Sequence, residues 1–200
     1  MTTSADGSRP TSSRGPYAKG LAKRAEILRV ALEAYAKAGS AGPTLKSIAE
    51  SVQLTEAGVL HYFGSKDELL VAILQARDAS ASERYDLTTY DGVFDYLNDV
   101  VRTPGLARLF VEMTAAASQP DHPAAAFMED HAKGVRELIT TLLGREDDSA
   151  ARILLAVTDG LQIQWLRDPT LDVLADIRRT VDLFVTSQTT DPSREGSGRF

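Results

Sequence analysis

The chain has 200 residues, 43% of them hydrophobic, no cysteine and a formal net charge of −6. That is enough chain for one domain or two small ones with a real core. The missing cysteines exclude a disulfide framework, a thiol nucleophile and a cysteine-ligated metal. No apolar run approaches the roughly 18 residues of a membrane helix. The first residues, MTTSADGSRPTSSRGPYAKG, lack the apolar centre of a secretory signal, so the expected compartment is the cytoplasm.

The charge is unevenly spread. Residues 1–66 carry nine Lys/Arg against five Asp/Glu, or +4, which leaves −10 for the remaining 134 residues. A mildly basic head on an acidic body suits a DNA-reading module joined to something else, although a fluctuation of a few charges gives the same sums.

Residues 1–17 are rich in Ser, Thr, Gly and Pro and are expected to be a disordered tail. Arg9 and Arg14 make it either a basic arm toward DNA or, more simply, a solvated tail. From about Ala18 to Ala38, Ile27, Leu28, Ala31, Leu32 and Tyr35 recur at three- and four-residue steps, the period of a helix. Gly39 stops it and Gly42-Pro43 turns the chain.

Two short helices follow. The first starts after Pro43 with Thr44 as N-cap, and Leu45, Ile48, Ala49 and Val52 face inward. The second starts at Thr55 and ends near Phe63, with only Gln53-Leu54-Thr55 between them. Helices this short are unstable alone, because nucleation is costly, so neighbours must hold them. A tight helix-turn-helix whose second member presents small and polar residues is a shape that enters a major groove. Gly64 ends this unit, and Ser65 with Glu68 forms a capping box for a long helix reaching about Ser82.

Everything after this reads helical, with no period-two alternation. Helices are expected over Tyr90–Arg102, from Pro104 to about Ser118, over Ala124–Leu143, and from Asp148 or Ser149 to about Arg167. Thr170 is expected to cap a last helix with a clean stripe of Leu171, Leu174, Ile177, Val181 and Phe184. The tail from about Thr189 is expected to be disordered. The fold class is therefore all-α, with about nine helices. The expected domains are a helix-turn-helix head over 18–64 and a second domain over 65–188, with tails at 1–17 and 189–200.

Residues Ala25 to Leu74 resemble the TetR family of bacterial transcriptional regulators. The resemblance is carried by Ile27, Ala31 and Tyr35, by Gly39, by T-L-K-S-I-A-E, and by H-Y-F-x-S-K-D-E-L. Asp159 to Pro169, DGLQIQWLRDP, is a softer match to the penultimate helix of one branch. The resemblance implies a homodimer that binds a near-palindromic DNA operator through its three N-terminal helices. It also implies a C-terminal cavity for a small-molecule effector whose binding releases DNA, and hence a repressor. Three positions depart from the pattern. Gln53 stands where Gly is usual, Leu60 where an aromatic Tyr is often found, and Gly58 lies inside the recognition helix. A non-Gly residue in the left-handed region costs about 1–2 kcal/mol, so the turn is expected to be shaped differently.

The DNA-facing candidates are Thr44, Lys46, Thr55, Glu56, Ala57, Gly58, His61, Tyr62 and Lys66. Lys66, just after the Ser65 cap, is expected to meet a phosphate, as are Thr44 and Lys46. Glu56 suits a cytosine amine or simply the first turn of a helix. Tyr62 is alternatively a core aromatic. By helical periodicity Phe110, Met113, Thr114, Phe127, His131, Thr158, Gln162 and Trp165 are candidates to line the effector cavity. Each is more often core filling, and Gln162 with Trp165 is the preferred pair. Asp159 beside them suits a cationic ligand or a helix cap. Leu154, Val157, Leu161, Leu171, Leu174, Ile177, Val181 and Phe184 are the expected dimer interface.

No G-x-S-x-G, P-loop or dinucleotide glycine pattern is present, so no enzyme activity and no cofactor are expected. His122 and His131 are nine residues apart, which does not match a helical ligand pair, so no metal is expected. The alternative function is a small-molecule-binding helical dimer whose DNA-binding head is degenerate, favoured by Gln53, Gly58 and Leu60.

Overall fold

A computed structural model describes residues 15–39, 41–144 and 148–186. The tail residues 1–14, with Arg9 and Arg14, and the tail beyond 186 lie outside the described residues. Among those described the protein is all-α, with nine helices and no strand. They are α1 (Gly15–Lys37), α2 (Leu45–Ser51), α3 (Glu56–Phe63), α4 (Lys66–Arg84), α5 (Tyr90–Val100), α6 (Pro104–Ala116), α7 (Ala124–Leu143), α8 (Asp148–Arg167) and α9 (Val173–Thr186).

The helix starts follow from side-chain chemistry. Thr44, Thr55, Ser65 and Thr89 each take an N-cap position and accept a backbone N–H three residues on, satisfying a donor that the helix itself leaves open. Pro104 opens α6, where its missing N–H costs nothing. Two expectations at the ends fail. Helix α1 begins at Gly15 rather than Ala18, so residues 15–17 are helical and not part of a tail. The last helix is capped by Asp172, whose Oδ1 accepts the Ala175 N–H at 3.1 Å. Thr170 instead donates its hydroxyl to Asp168 Oδ1 at 2.6 Å, a turn that keeps Leu171 outside the helix and exposed.

One core runs from the N-terminal helices into the rest of the protein. Ile27 and Ala31 of α1, Ile48 of α2, Val59 and Phe63 of α3, and Leu109 and Met113 of α6 all join it. Helix α4 supplies its centre: Leu69, Leu70, Val71, Ala72, Ile73 and Leu74 are six consecutive buried residues. A helix buried all round must have partners on every side, and α4 packs against α1, α3, α6 and α7. A smaller core of Ala107, Trp165, Val173 and Ile177, with Phe94, Leu97 and Leu161 against it, ties α5, α6, α8 and α9 together.

Glycine at 105 lets α6 start against the end of α1. A Cβ there would run into the carbonyl oxygens of Tyr35 and Ala38, both of them backbone with no rotamer to yield. Gly105→Ala is expected to destabilise the protein by about 1–3 kcal/mol, the usual cost of overpacking. A urea titration followed by helical circular dichroism measures it, and an unchanged midpoint would refute the close approach.

Candidate functional site

The two short helices close on themselves through a turn at Gln53. Its φ is 57°, in the left-handed region, so the turn has the conformation usually given to glycine and Gln53 carries the strain. The expectation of a differently shaped turn is therefore not met. The backbone holds the shape: the Leu54 N–H reaches Ala49 O at 2.9 Å, and Gln53 N–H reaches Glu50 O at 3.1 Å. The Lys23 ammonium of α1 adds a bond of 2.8 Å to Val52 O, a carbonyl at the end of α2. Gly58 faces this turn. A Cβ there would sit 3.3 Å from Thr55 Oγ1 and 3.5 Å from Leu54 Cβ, so its smallness serves tight packing.

Helix α3 is divided by face. Val59 and Phe63 are buried, and Tyr62 packs partly against the same core. Glu56, Ala57 and His61 are exposed on the other face. His61 and Tyr62 rings meet edge-on at 5.7 Å, and the Arg24 guanidinium lies 4.5 Å over the Phe63 ring. At the flanks, Thr44 and Thr55 use their oxygens as acceptors for Ser47 N–H and Gly58 N–H, which leaves each hydroxyl proton available. Lys66 is exposed and makes no ion pair among the described residues. Lys46 is 73% exposed, with only a loose approach of 4.0 Å to Glu50. Seven of the nine candidate DNA residues are exposed, in α2, α3 and α4 or at their starts, while Gly58 and Tyr62 are half-buried.

Below the head lies a cavity of about 350 Å³. Helix α4 contributes Asp78 and Ala81; α5 contributes Val93, Phe94, Tyr96 and Leu97. Helix α7 brings His131, Val135, Leu138 and Leu142, while α8 and α9 close it with Leu154, Leu155, Thr158, Ile177 and Val181. Of the eight effector candidates only His131 and Thr158 line it. Phe110 and Met113 are buried in the main core, and Thr114 donates to Phe110 O at 2.9 Å. Phe127 packs on that core too, and Trp165 fills the smaller one. The Gln162 amide bonds to Ala107 O at 3.3 Å. The preferred pair therefore braces α8 against α6 instead of facing a ligand. What periodicity missed is α5: Tyr90, Val93, Phe94 and Leu97 form a stripe, but a stripe does not say which neighbour it faces.

The dimer candidates fall in different places. Leu154, Ile177 and Val181 line the cavity, and Leu161 packs against the smaller core. Val157, Leu174 and Phe184 are half-buried. The outward apolar positions of α8 and α9 are Ile153 (49% exposed), Ile163 (43%), Leu183 (70%) and Val185 (45%).

One end of the cavity is polar. His131 Nδ1 lies 2.8 Å from Asp78 Oδ2, and the Arg77 guanidinium clasps Asp78 Oδ1 at 2.6 and 2.8 Å. Burial alone would raise the Asp78 carboxyl. The His131 hydrogen bond and the Arg77 charge outweigh it and hold the group below its usual value. Both histidines read as metal candidates are engaged: His131 with Asp78, and His122 with the Ala124 N–H at 3.1 Å and Asp67 at 3.5 Å. Among the described residues no group of three or more His, Asp and Glu is arranged to hold a metal, and no helix is long and apolar enough to cross a membrane.

Residues 27–73 match the family model for bacterial regulatory proteins, tetR family. The N-terminal head of this chain is thus similar to a TetR-family head. The match starts at Ile27 and ends at Ile73, both fully buried, so it spans the shared core together with the short helices. The chain is 28% identical to the HTH-type transcriptional regulator TtgR of Pseudomonas putida, over 80% of this chain and 88% of that one. Its fold is similar to a TetR transcriptional regulator from Rhodococcus sp. RHA1 (TM-score 0.60, 22% identity, covering 83% of this chain and 98% of that one). It is also similar to the multidrug binding protein EbrR complexed with malachite green (TM-score 0.51, 23% identity, 82% and 96%).

Asp159 of α8, beside the cavity, is held above the usual carboxylate range by burial, partly offset by His131. A raised folded pKa means the fold binds this proton more tightly than the unfolded chain does. The protein then loses stability as pH rises through that pKa. Asp159→Asn is expected to raise the thermal midpoint at neutral pH, with the gain vanishing near pH 4 and below, where the unfolded carboxyl (about 3.9) is itself protonated. Melts at a series of pH values check it; equal gains at every pH would contradict the assignment.

Proposed function

We propose that the protein is a DNA-binding transcriptional repressor, not an enzyme, which acts as a homodimer and is released by a small molecule held in the cavity. The observation that carries the reading is the main core, which head and body share. The outer ends of α2, α3 and α4 offer DNA contacts, and the same α4 that starts at Lys66 reaches the cavity at Asp78 and Ala81. A ligand that shifts α4 moves a DNA contact with it. The head match over residues 27–73 supports the DNA role, and the likeness to TtgR, a transcriptional regulator, supports the regulatory one. EbrR, which binds malachite green in a similar fold, supports a small-molecule ligand. Two of the three features that favoured a degenerate head lose their force, since Gln53 adopts the left-handed turn and Gly58 packs against it, and Leu60 is left as the one departure.

In this reading residues 18–64 are the DNA-binding unit and 65–188 the ligand and dimer unit. Lys66, Thr44, Lys46 and Thr55 take phosphates, which position the head. Glu56, Ala57 and Gly58 face base edges, and His61 with the Tyr62 hydroxyl meets the DNA backbone. Two heads meet half-sites about one turn, ~34–36 Å, apart. Lys66→Ala is expected to weaken binding to DNA from the gene's own upstream region about equally across site variants, and to lower the slope of log affinity against log salt by about 1. Gel shifts at several salt concentrations measure both, and unchanged affinity would remove Lys66 as a phosphate contact.

The dimer is placed on the outward apolar residues of α8 and α9. A charge buried at such an interface is costly unless paired. Ile163→Glu is therefore expected to convert the dimer to monomer with helical content intact. Sedimentation velocity reads the change, and a variant that still sediments as a dimer would move the interface elsewhere.

A further inference from the structure

Around the cavity, most hydroxyl protons are already committed to backbone carbonyls. Ser82 donates to Asp78 O at 3.1 Å, Thr158 to Leu154 O at 2.9 Å and Tyr90 to Leu142 O at 2.8 Å. Tyr96 differs. It lines the cavity, burial pushes its phenol above the usual value so that it stays protonated, and its hydroxyl has no hydrogen bond among the described residues. Its hydroxyl keeps some contact with solvent and an uncommitted proton, so it can donate to an acceptor that enters beside it.

The charges narrow the ligand further. No Lys or Arg lines the cavity, so an anion would meet no cationic side chain there while facing Asp78 and Asp130. A cation fares little better. Both oxygens of Asp78 are taken, by Arg77 and by His131, so that carboxylate is already neutralised. Asp130 is exposed and hydrated. Either ion would lose its water to a wall of Leu, Ile, Val and Phe that holds no free counter-charge, since Asp159 lies beside the cavity and not on its wall.

Resting on the reading of this cavity as the effector site, we propose that it selects a neutral, mainly apolar ligand that carries one hydrogen-bond acceptor, such as a ketone or ester carbonyl, which takes the Tyr96 hydroxyl proton. Tyr96 is then the residue that separates an acceptor-bearing ligand from a plain hydrocarbon of the same shape.

The test uses the full chain and four probes on one ring system, followed by titration calorimetry: 2-acetylnaphthalene, 2-ethylnaphthalene, 2-naphthoate and (2-naphthylmethyl)trimethylammonium. The ketone is expected to bind at least tenfold tighter than either ion. Tyr96→Phe is expected to weaken the ketone roughly three- to tenfold, the worth of one hydrogen bond, and to leave 2-ethylnaphthalene unchanged. Tighter binding of the carboxylate or the ammonium would overturn the proposal. So would a ketone indifferent to Tyr96→Phe, while binding of 2-ethylnaphthalene would still uphold the cavity as a ligand site. Binding of none of the four would overturn the cavity reading and the proposal together.

Discussion

Helix α4 is shared by two jobs, and that sharing is the constraint on which the rest of the structure depends. Six consecutive buried residues, Leu69 to Leu74, leave it no solvent face over that stretch. The short helices α2 and α3 lack the length to be stable alone, and they stand because they pack on α1 and α4. The body packs on the other side of α4 through α6 and α7. Since a close-packed interior transmits displacement and does not absorb it, any rearrangement at Asp78 is felt about three turns away at Lys66, where α4 meets the head. In the proposed function the coupling would run along this one helix.

The polar end of the cavity sits on that same helix. Asp78 is held by Arg77 from its own helix and by His131 from α7, and the Arg77 guanidinium also lies 4.8 Å over the Phe110 ring of α6. One small network therefore joins α4, α6 and α7 beside otherwise apolar walls. Such a network is stable only while every member is satisfied. Disturbing one bond at Asp78 would therefore disturb the contact between these helices. His131 is also flanked by the Phe110 and Phe127 rings at 5.1 and 6.0 Å, which fix the imidazole in place.

Much was legible in the residues alone, and for local reasons. Thr44, Thr55, Ser65, Pro104 and Gly144 mark helix ends through hydrogen bonds or dihedral preferences that involve only a few neighbours along the chain. The core of the head was legible as well, since Ile48, Val59 and Phe63 had few other surfaces to meet. The cavity was not. Gln162 and Trp165 share a face of α8, but that face looks toward α6 and the smaller core, while Leu154 and Thr158 look into the cavity. Two residues of the α9 stripe show the same limit. Ile177 and Val181 were read as an interface between subunits, and they close the interior of one.

The chain order of apolar and capping residues thus determined by itself that this protein is all-helical, that its N-terminal part is a helix-turn-helix, and where most helices begin. Those properties depend on hydrogen bonds and side-chain periods within one or two turns. Only the tertiary structure decided which face of each later helix looks inward, that Gln53 accepts a left-handed turn, and that Tyr96 on α5 and His131 on α7 line one cavity. A helical period identifies an apolar face without naming the surface that covers it. That choice depends on how helices distant in sequence pack, and no local pattern records it.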